Sequence, residues 1–323
     1  MTATPCQVCK NSEFKTLYPV RDNNQGAHGA WTIEECAACG LGRLAPFPEA
    51  EEIGSFYQDI FYDEKGERFQ SWMETLRKKF AGLRGRKINR MLPERGELLD
   101  FGSGAGHFCD AMRDAGWNVI DIDPFSPKSS YSHKATIRNG DEVLLDYPDN
   151  HFDVITLWYV IEHLRNPGFV LTELFRVLKP GGAILLSTQD FDSVQAKYFG
   201  ADWLFLDPPR HLFQFSSTTL CRMAEDIGYK KIDVDWASIE LGPFTILQSI
   251  LNKILGNRNY LFRFLQKRGI GRLLPEETPQ DFAKGSILSL LLLPFVGPVA
   301  VFLYFYWQTK NSGDIFNLYL KKP

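Results

Sequence analysis

The chain of 323 residues is long enough for one large domain with additions or for two domains. Its composition, 44% hydrophobic and 23% charged, is that of a globular protein. The net charge of −3 and pI near 6.1 count against a dedicated nucleic-acid binder, which carries a basic surplus.

The opening Met-Thr-Ala-Thr-Pro-Cys has neither the basic nor the apolar region of a signal peptide, so the cytoplasm is the expected compartment. Residues 1–45 then hold four of the six cysteines as Cys6-x-x-Cys9 and Cys36-x-x-Cys39, with Gly40 after the second pair. Two such pairs have zinc-ribbon spacing, because each tight knuckle offers two thiolates to one tetrahedral ion. A lobe of about 45 residues has too little core to fold unaided, so a structural zinc is expected there. Disulfides are the weaker alternative in a cytoplasmic setting. Cys109 and Cys221 fall in predicted helices and read as core residues.

Residues 46–94 form a predicted helical connector or lid. Pro46-Phe47-Pro48 opens it, and residues 49–63 carry Phe56, Tyr57, Phe61 and Tyr62, which suit helices closing over a ligand. Residues 68–91 form a basic predicted helix with Trp72, Leu76, Phe80 and Leu83 at helical intervals and its charges on a solvated face.

The organising stretch is 97–107, Glu-Leu-Leu-Asp-Phe-Gly-Ser-Gly-Ala-Gly-His. A short apolar run enters three alternating glycines, and a helix follows. Strand, glycine turn and helix form the first unit of a doubly wound sheet, where absent Cβ atoms let a ligand approach backbone at a helix N-terminus. A dinucleotide fingerprint needs G-x-G-x-x-G, and its last position here is His107. Residues 118–123 read as a second strand ending at Asp123, seventeen residues past Gly106. An acid there holds ribose hydroxyls, and Asp121 shares the position by alternation. A third strand is predicted near 135–138, a fourth over 152–158, a helix over 168–178 ended by Lys179-Pro-Gly-Gly182, and a fifth strand over 183–188.

The pattern Asp100-x-Gly102-x-Gly104-x-Gly106, with Phe-Asp-Val-Ile-Thr at 152–156, Glu162-His163-Leu and Arg-Val-Leu-Lys-Pro-Gly-Gly at 176–182, resembles the class I S-adenosylmethionine-dependent methyltransferases over about residues 95–190. The resemblance implies an α/β, Rossmann-like sheet of seven strands, with its core at 95–236 and a final strand at 315–323 pairing with a sixth at 231–236. It also implies a cofactor site of Asp100, Phe101, Gly102, Ser103, Gly104, Gly106, His107, Asp123 and Pro124. Asp141 and Glu142 follow strand three toward adenine, and Leu157 and Trp158 end strand four. The preceding zinc ribbon is similar to that of bacterial sugar and glycan methyltransferases, whose N-terminal lobe helps bind the acceptor.

Between strands six and seven lies an apolar insertion, 237–314. Over 241–275 there are six basic residues (Lys253, Arg258, Arg263, Lys267, Arg268 and Arg272) and no acid, interleaved with apolar ones. Residues 285–309 carry no charge and are long enough to cross a bilayer. Pro294, Gly297 and Pro298 predict a break, and a strand returning after 310 places both ends on one side. A helix-break-helix hairpin dipping into one leaflet is therefore expected, with the basic stretch on anionic headgroups and 241–309 as the membrane contact. The alternative is a helix pair packed on the protein or on a second subunit.

Methyl transfer to a hydroxyl requires removal of a proton, which suits imidazole. His211 is the preferred base and His163 the second candidate, with Tyr159, Trp203 and Arg210 as pocket walls. Glu162-His163 has a bland alternative as a loop anchor. Some quinone-pathway relatives hold a metal there, but Tyr159 stands where their first glutamate would be. The acceptor class expected is a sugar, glycan or lipid-linked molecule at the cytoplasmic face of a membrane. A ribosomal or transfer RNA methyltransferase and a non-catalytic scaffold are the alternatives.

Overall fold

The computed structural model describes residues 5–57, 69–123, 135–138, 142–266 and 273–323. In chain order the elements are β1 (Phe14–Val20), β2 (Trp31–Cys36), β3 (Gly42–Ala45), α1 (Ala50–Ile53), α2 (Ser71–Met91), β4 (Glu97–Phe101), α3 (His107–Asp114), β5 (Asn118–Ile122), β6 (Ala135–Arg138) and β7 (Glu142–Leu145). They continue with β8 (Phe152–Trp158), α4 (Pro167–Val177), β9 (Leu178–Gln189), α5 (Val194–Phe199), β10 (Phe213–Gln214), α6 (Ser217–Ile227), β11 (Lys230–Asp235), α7 (Gly242–Leu255), α8 (Tyr260–Leu265), α9 (Pro279–Gln308) and β12 (Ile315–Lys321). The chain divides into two compact units. The first comprises Met1–Ile60, Gln189–Thr219 and Asp235–Phe316, and the second Phe61–Thr188, Leu220–Val234 and Asn317–Pro323.

The second unit is built on a six-stranded sheet of order β11-β12-β9-β8-β4-β5. β4 runs parallel to β5 and β8, and β8 runs parallel to β9. Central strands of this kind are covered on both faces, so they read as continuous apolar runs. Leu98, Leu99, Val154, Ile155, Ile184 and Leu186 are accordingly buried. Asn166 caps α4, its side chain accepting the Phe169 N–H, and Pro167 stands at the first turn.

Three expectations are corrected. The predicted third strand is present as β6, but it pairs antiparallel with β7, from Ala135 opposite Leu145 to Arg138 opposite Glu142, instead of joining the main sheet. Among the described residues that sheet therefore has six strands. Next, α2 does not bury Trp72, Leu76 and Leu83, which are exposed; it buries Glu74, Ala81, Gly85 and Ile88. Small residues let the helix approach closely: a Cβ on Gly85 would lie 2.7 Å from the Met112 sulfur of α3. Lastly, 285–309 is not broken at its prolines. It belongs to the continuous 30-residue α9, with Pro294 and Pro298 inside it and a Thr278–Asp281 capping box at its start. The rest of the helix is bonded on either side of the two missing N–H donors, and one side is packed on α7 and α8.

The first unit carries a four-stranded sheet, β1-β2-β3-β10, in which β1–β2, β2–β3 and β3–β10 pair antiparallel. One of its cores joins Trp31, Ile33 and Leu44 to Phe191, Phe199, Trp203 and Leu206. A second sets Ile246, Leu247, Leu251 and Leu261 against Val296, Ala300 and Tyr304.

Candidate functional site

In the second unit β4 runs out at Phe101 into Gly102, Gly104 and Gly106, which have φ of 84°, 57° and 76°. L side chains rarely adopt this left-handed region, so the turn needs glycine. Gly102 is also held by space, since a Cβ there would stand 2.2 Å from Val160. Its N–H donates to the Ile122 carbonyl at 2.6 Å, tying the loop to β5. α3 begins immediately, and its N-cap Gly106 provides no side-chain cap, so the first-turn N–H groups are presented to an incoming group.

Asp123, just past β5, is 8% exposed and accepts the Gly104 N–H at 2.7 Å. Asp123 is thereby fixed against the glycine loop. Asp121 does not share the position, because Arg113 donates to it at 2.7 Å. Two polar atoms in this region, Ser103 Oγ and Trp158 Nε1, are buried without a partner among the described residues. Orphaned buried polar atoms call for a ligand or water, so a polar cofactor fits this cradle.

Asp100 lies beneath the loop. It is 1% exposed and accepts from Thr156 Oγ1 at 2.6 Å and Cys109 Sγ at 3.1 Å. Burial pushes its pKa up to about 6, against the pull of those two donors. It is a foundation for the turn. Leu157 is likewise fully buried, so only its backbone can face a ligand.

His107 is engaged from α2, its Nε2 standing 2.8 Å from buried Glu74, which also accepts from Arg77 and the Phe69 N–H. Glu74 was not singled out from sequence, because nothing in a basic amphipathic segment marks one of its acids as buried. Arg84 of the same helix stacks over the Trp158 ring at 4.9 Å and Tyr159 at 5.6 Å. Tyr159 itself is held at φ 60°, a strained value for a bulky residue, by its N–H bond to the Ser187 carbonyl. His163 closes the 3-10 turn Ile161–His163, in which Glu162 is fully buried. Pro124 and Asp141, with Phe61, Tyr62, Lys267, Arg268 and Arg272, lie outside the described residues, and Glu142 opens β7.

In the first unit the four cysteines converge, with one sulfur from each lying within 4.8 Å of the others. Cys6–Cys39 and Cys9–Cys36 stand 3.5 Å apart, close to the ~3.8 Å edge of a tetrahedron with 2.3 Å zinc–sulfur bonds. Burial raises the Cys36 thiol, but N–H groups of Ala38 and Cys39 and the neighbouring thiols outweigh it and hold its pKa down to about 6, whereas burial pushes Cys6 and Cys39 up. The donor set fits a closed structural zinc site.

Arg210 is not a pocket wall. It is 1% exposed and clamped between Asp22, at 2.8 and 2.9 Å, and Asp207, at 2.6 and 3.0 Å. Trp203 is buried in the core of the unit and also lines a small cavity of about 20 Å³ with Asn23, Asn24, Asp207 and Asn259; its Nε1 has no partner among the described residues. His211 is 7% exposed, and its Nδ1 lies 2.6 Å from the Phe205 carbonyl. In the neutral ring that bond places the proton on Nδ1 and the lone pair on Nε2, which lies 4.0 Å from Asp207 Oδ2.

A family profile described as a methyltransferase domain matches residues 69–234. A probable S-adenosylmethionine-dependent methyltransferase of Mycolicibacterium smegmatis is 35% identical over 98 residues, 28% of this chain and 37% of that protein. A ubiquinone biosynthesis O-methyltransferase of Methylococcus capsulatus is 27% identical over 200 residues, 56% of this chain and 80% of that one. Several other curated relatives are covered over only 45% to 51% of their own length. A solved S-adenosylmethionine-dependent methyltransferase from Archaeoglobus fulgidus gives a TM-score of 0.43 at 13% identity, covering 76% of this chain and 94% of that one.

Proposed function

We propose that this chain, which belongs to the S-adenosylmethionine-dependent methyltransferase family, moves a methyl group from that cofactor to a hydroxyl of a sugar, glycan or other lipid-linked acceptor. The observation that carries the reading is the left-handed glycine loop with Asp123 bonded to its Gly104 N–H. The bound cofactor supplies an electrophilic methyl on a sulfonium sulfur. The chain's own part is to hold the ribose through Asp123, present the N–H groups of the loop and α3, keep water out of the site, and take the proton that the acceptor hydroxyl loses as its oxygen receives the methyl and the sulfonium becomes a thioether.

An oxygen acceptor is favoured because several relatives are named O-methyltransferases. Such an acceptor needs a base, and the Nε2 lone pair of His211, set by the Nδ1 bond, suits it. His211→Gln is expected to lower kcat by about 100-fold or more while leaving cofactor affinity unchanged. The assay is transfer of labelled methyl from S-adenosylmethionine to glycolipid extracts; an unchanged kcat would move the role to His163. A nucleic-acid acceptor is disfavoured by the net charge of −3, and a scaffold by the intact loop.

In the same reading Cys6, Cys9, Cys36 and Cys39 hold one structural zinc, and the protein works at the cytoplasmic face of a membrane. Metal analysis should find about one zinc per chain. Removal by a strong chelator should collapse the β1–β3 lobe, seen as newly protease-sensitive bonds within residues 5–45. A lobe that keeps its protection after complete metal removal would refute the zinc role. The membrane location is supported by the apolar α9, whose length and composition suit a bilayer.

A further inference from the structure

Over 285–309, α9 is predominantly apolar around its whole circumference. The side packed on α7 and α8 combines small residues, Gly285, Ser286, Ser289 and Ala300, with Val296 and Tyr304, all buried. The fit is close: a Cβ on Gly285 would lie 2.6 Å from the Tyr260 ring. The opposite side is apolar apart from Tyr306, with Leu291 64%, Phe295 74% and Phe302 67% exposed and Ile287, Val299 and Phe305 beside them. No charged residue occurs anywhere in 285–309. Water-facing helices carry their polar residues outward, and apolar patches of this length on a monomer mark a contact surface.

The ends of the helix restrict what that contact is. Before it, Glu277 is locked to buried Arg263 by bonds of 3.0 and 2.6 Å, and Leu274 and Pro275 sit against Gly26 of the N-terminal lobe. After it, the Gln308 amide donates to the Trp236 carbonyl and Thr245 donates to Asp314. Both ends are thus fastened to the same folded unit. A helix crossing the hydrocarbon layer would put these two sets of contacts on opposite sides of it and draw α7 and α8, packed along its length, into the layer.

We infer that α9 lies in the plane of the membrane, its outer face immersed in the acyl chains of one leaflet. This deepens the membrane location proposed above and does not depend on the acceptor. Lys284 and Lys310, both exposed, stand just beyond the two ends of the uncharged stretch, and Lys253 is exposed on α7. Cations flanking an apolar face match anionic headgroups around a hydrocarbon layer. A second copy of the chain fits less well, because between the flanking lysines Tyr306 is the one polar side chain exposed over 287–306, too little to set a register.

The test is flotation of the full-length, zinc-replete protein with phosphatidylcholine vesicles, with and without phosphatidylglycerol. Wild type should float, more strongly with the anionic lipid. The triple variant Leu291→Gln, Phe295→Gln, Phe302→Gln should bind at least 10-fold more weakly. Its changes lie on the exposed side, so its circular dichroism and S-adenosylmethionine affinity should match wild type. That affinity, measured in the same preparations, separates failure of this inference from failure of the methyltransferase reading. A photocrosslinking phenylalanine analogue at 287, 295 or 305 should label acyl chains at one shallow depth. Equal flotation of wild type and variant would overturn the inference, as would deepest labelling at 295 with headgroup labelling at the ends, the signature of a span. A lipid-indifferent dimer that the triple variant dissolves would overturn it in favour of a second copy.

Discussion

Replacing Asp123 with alanine is expected to lower S-adenosylmethionine affinity by at least about 100-fold, measured by calorimetry on the purified protein. A carboxylate accepting two ribose hydroxyls makes charge-assisted bonds of about 1.5–3 kcal/mol each, and two of them reach that factor. The side chain is pre-set for this task, being 8% exposed and anchored by the Gly104 N–H at 2.7 Å. Asparagine should give an intermediate loss, since its amide oxygen can still accept the loop bond without the charge. Asp121→Ala is the matched control, because Arg113 already engages that carboxylate; its affinity should stay within about threefold. Stability should fall by about 1 kcal/mol for Asp123→Ala, the cost of one lost bond to the loop. A folded Asp123→Ala protein that binds the cofactor like wild type would remove the ribose role, and equal losses at 121 and 123 would point to a general electrostatic effect.

The sheet was legible because its signals are local. Three glycines at alternate positions admit few backbone paths, and the buried parallel strands read as unbroken apolar runs. The strand at 315–321 was legible for the same reason. What could not be read was decided by partners distant in sequence. Trp72, Leu76 and Leu83 have the right spacing for a buried stripe, yet the helix turns Ala81 and Gly85 inward because Met112 needs the space. The side chains of Pro294 and Pro298 punctuate any sequence, but the helix continues through them with support from α7 and α8. Asp100 looked like a ligand of the cofactor because it starts the glycine motif. Its burial with Thr156, 56 residues away, shows that it supports the turn instead. Glu74, which meets His107 across 33 residues, left no trace in its own neighbourhood.

Arg210 illustrates the same limit and supplies the largest expected loss of stability. In sequence, an arginine beside His211 reads as a substrate contact. In the structure its guanidinium is inaccessible to solvent and lies between two carboxylates, one of them, Asp22, 188 residues away. Asp22 also accepts the N–H groups of Asn24, Gln25 and Ala27, so the ion cluster fastens the 22–27 turn of the N-terminal lobe to the 207–210 turn. Burial alone would lower the pKa of Arg210, but the Asp207 and Asp22 charges outweigh it and hold the guanidinium protonated. Arg210→Leu leaves the buried Asp22 and the partly buried Asp207 without their cation, and removing one partner of a buried pair costs about 3–5 kcal/mol. The first unit should therefore unfold at markedly lower urea concentration, read by tryptophan fluorescence from Trp31 and Trp203. Arg210→Lys should lose less, keeping the charge but not the two-sided fork. The triple change Asp22→Asn, Asp207→Asn, Arg210→Met should recover most of the stability, because it removes the charges together. A pocket-wall role makes the opposite forecast: Arg210→Leu would stay as stable as wild type and lose only acceptor turnover.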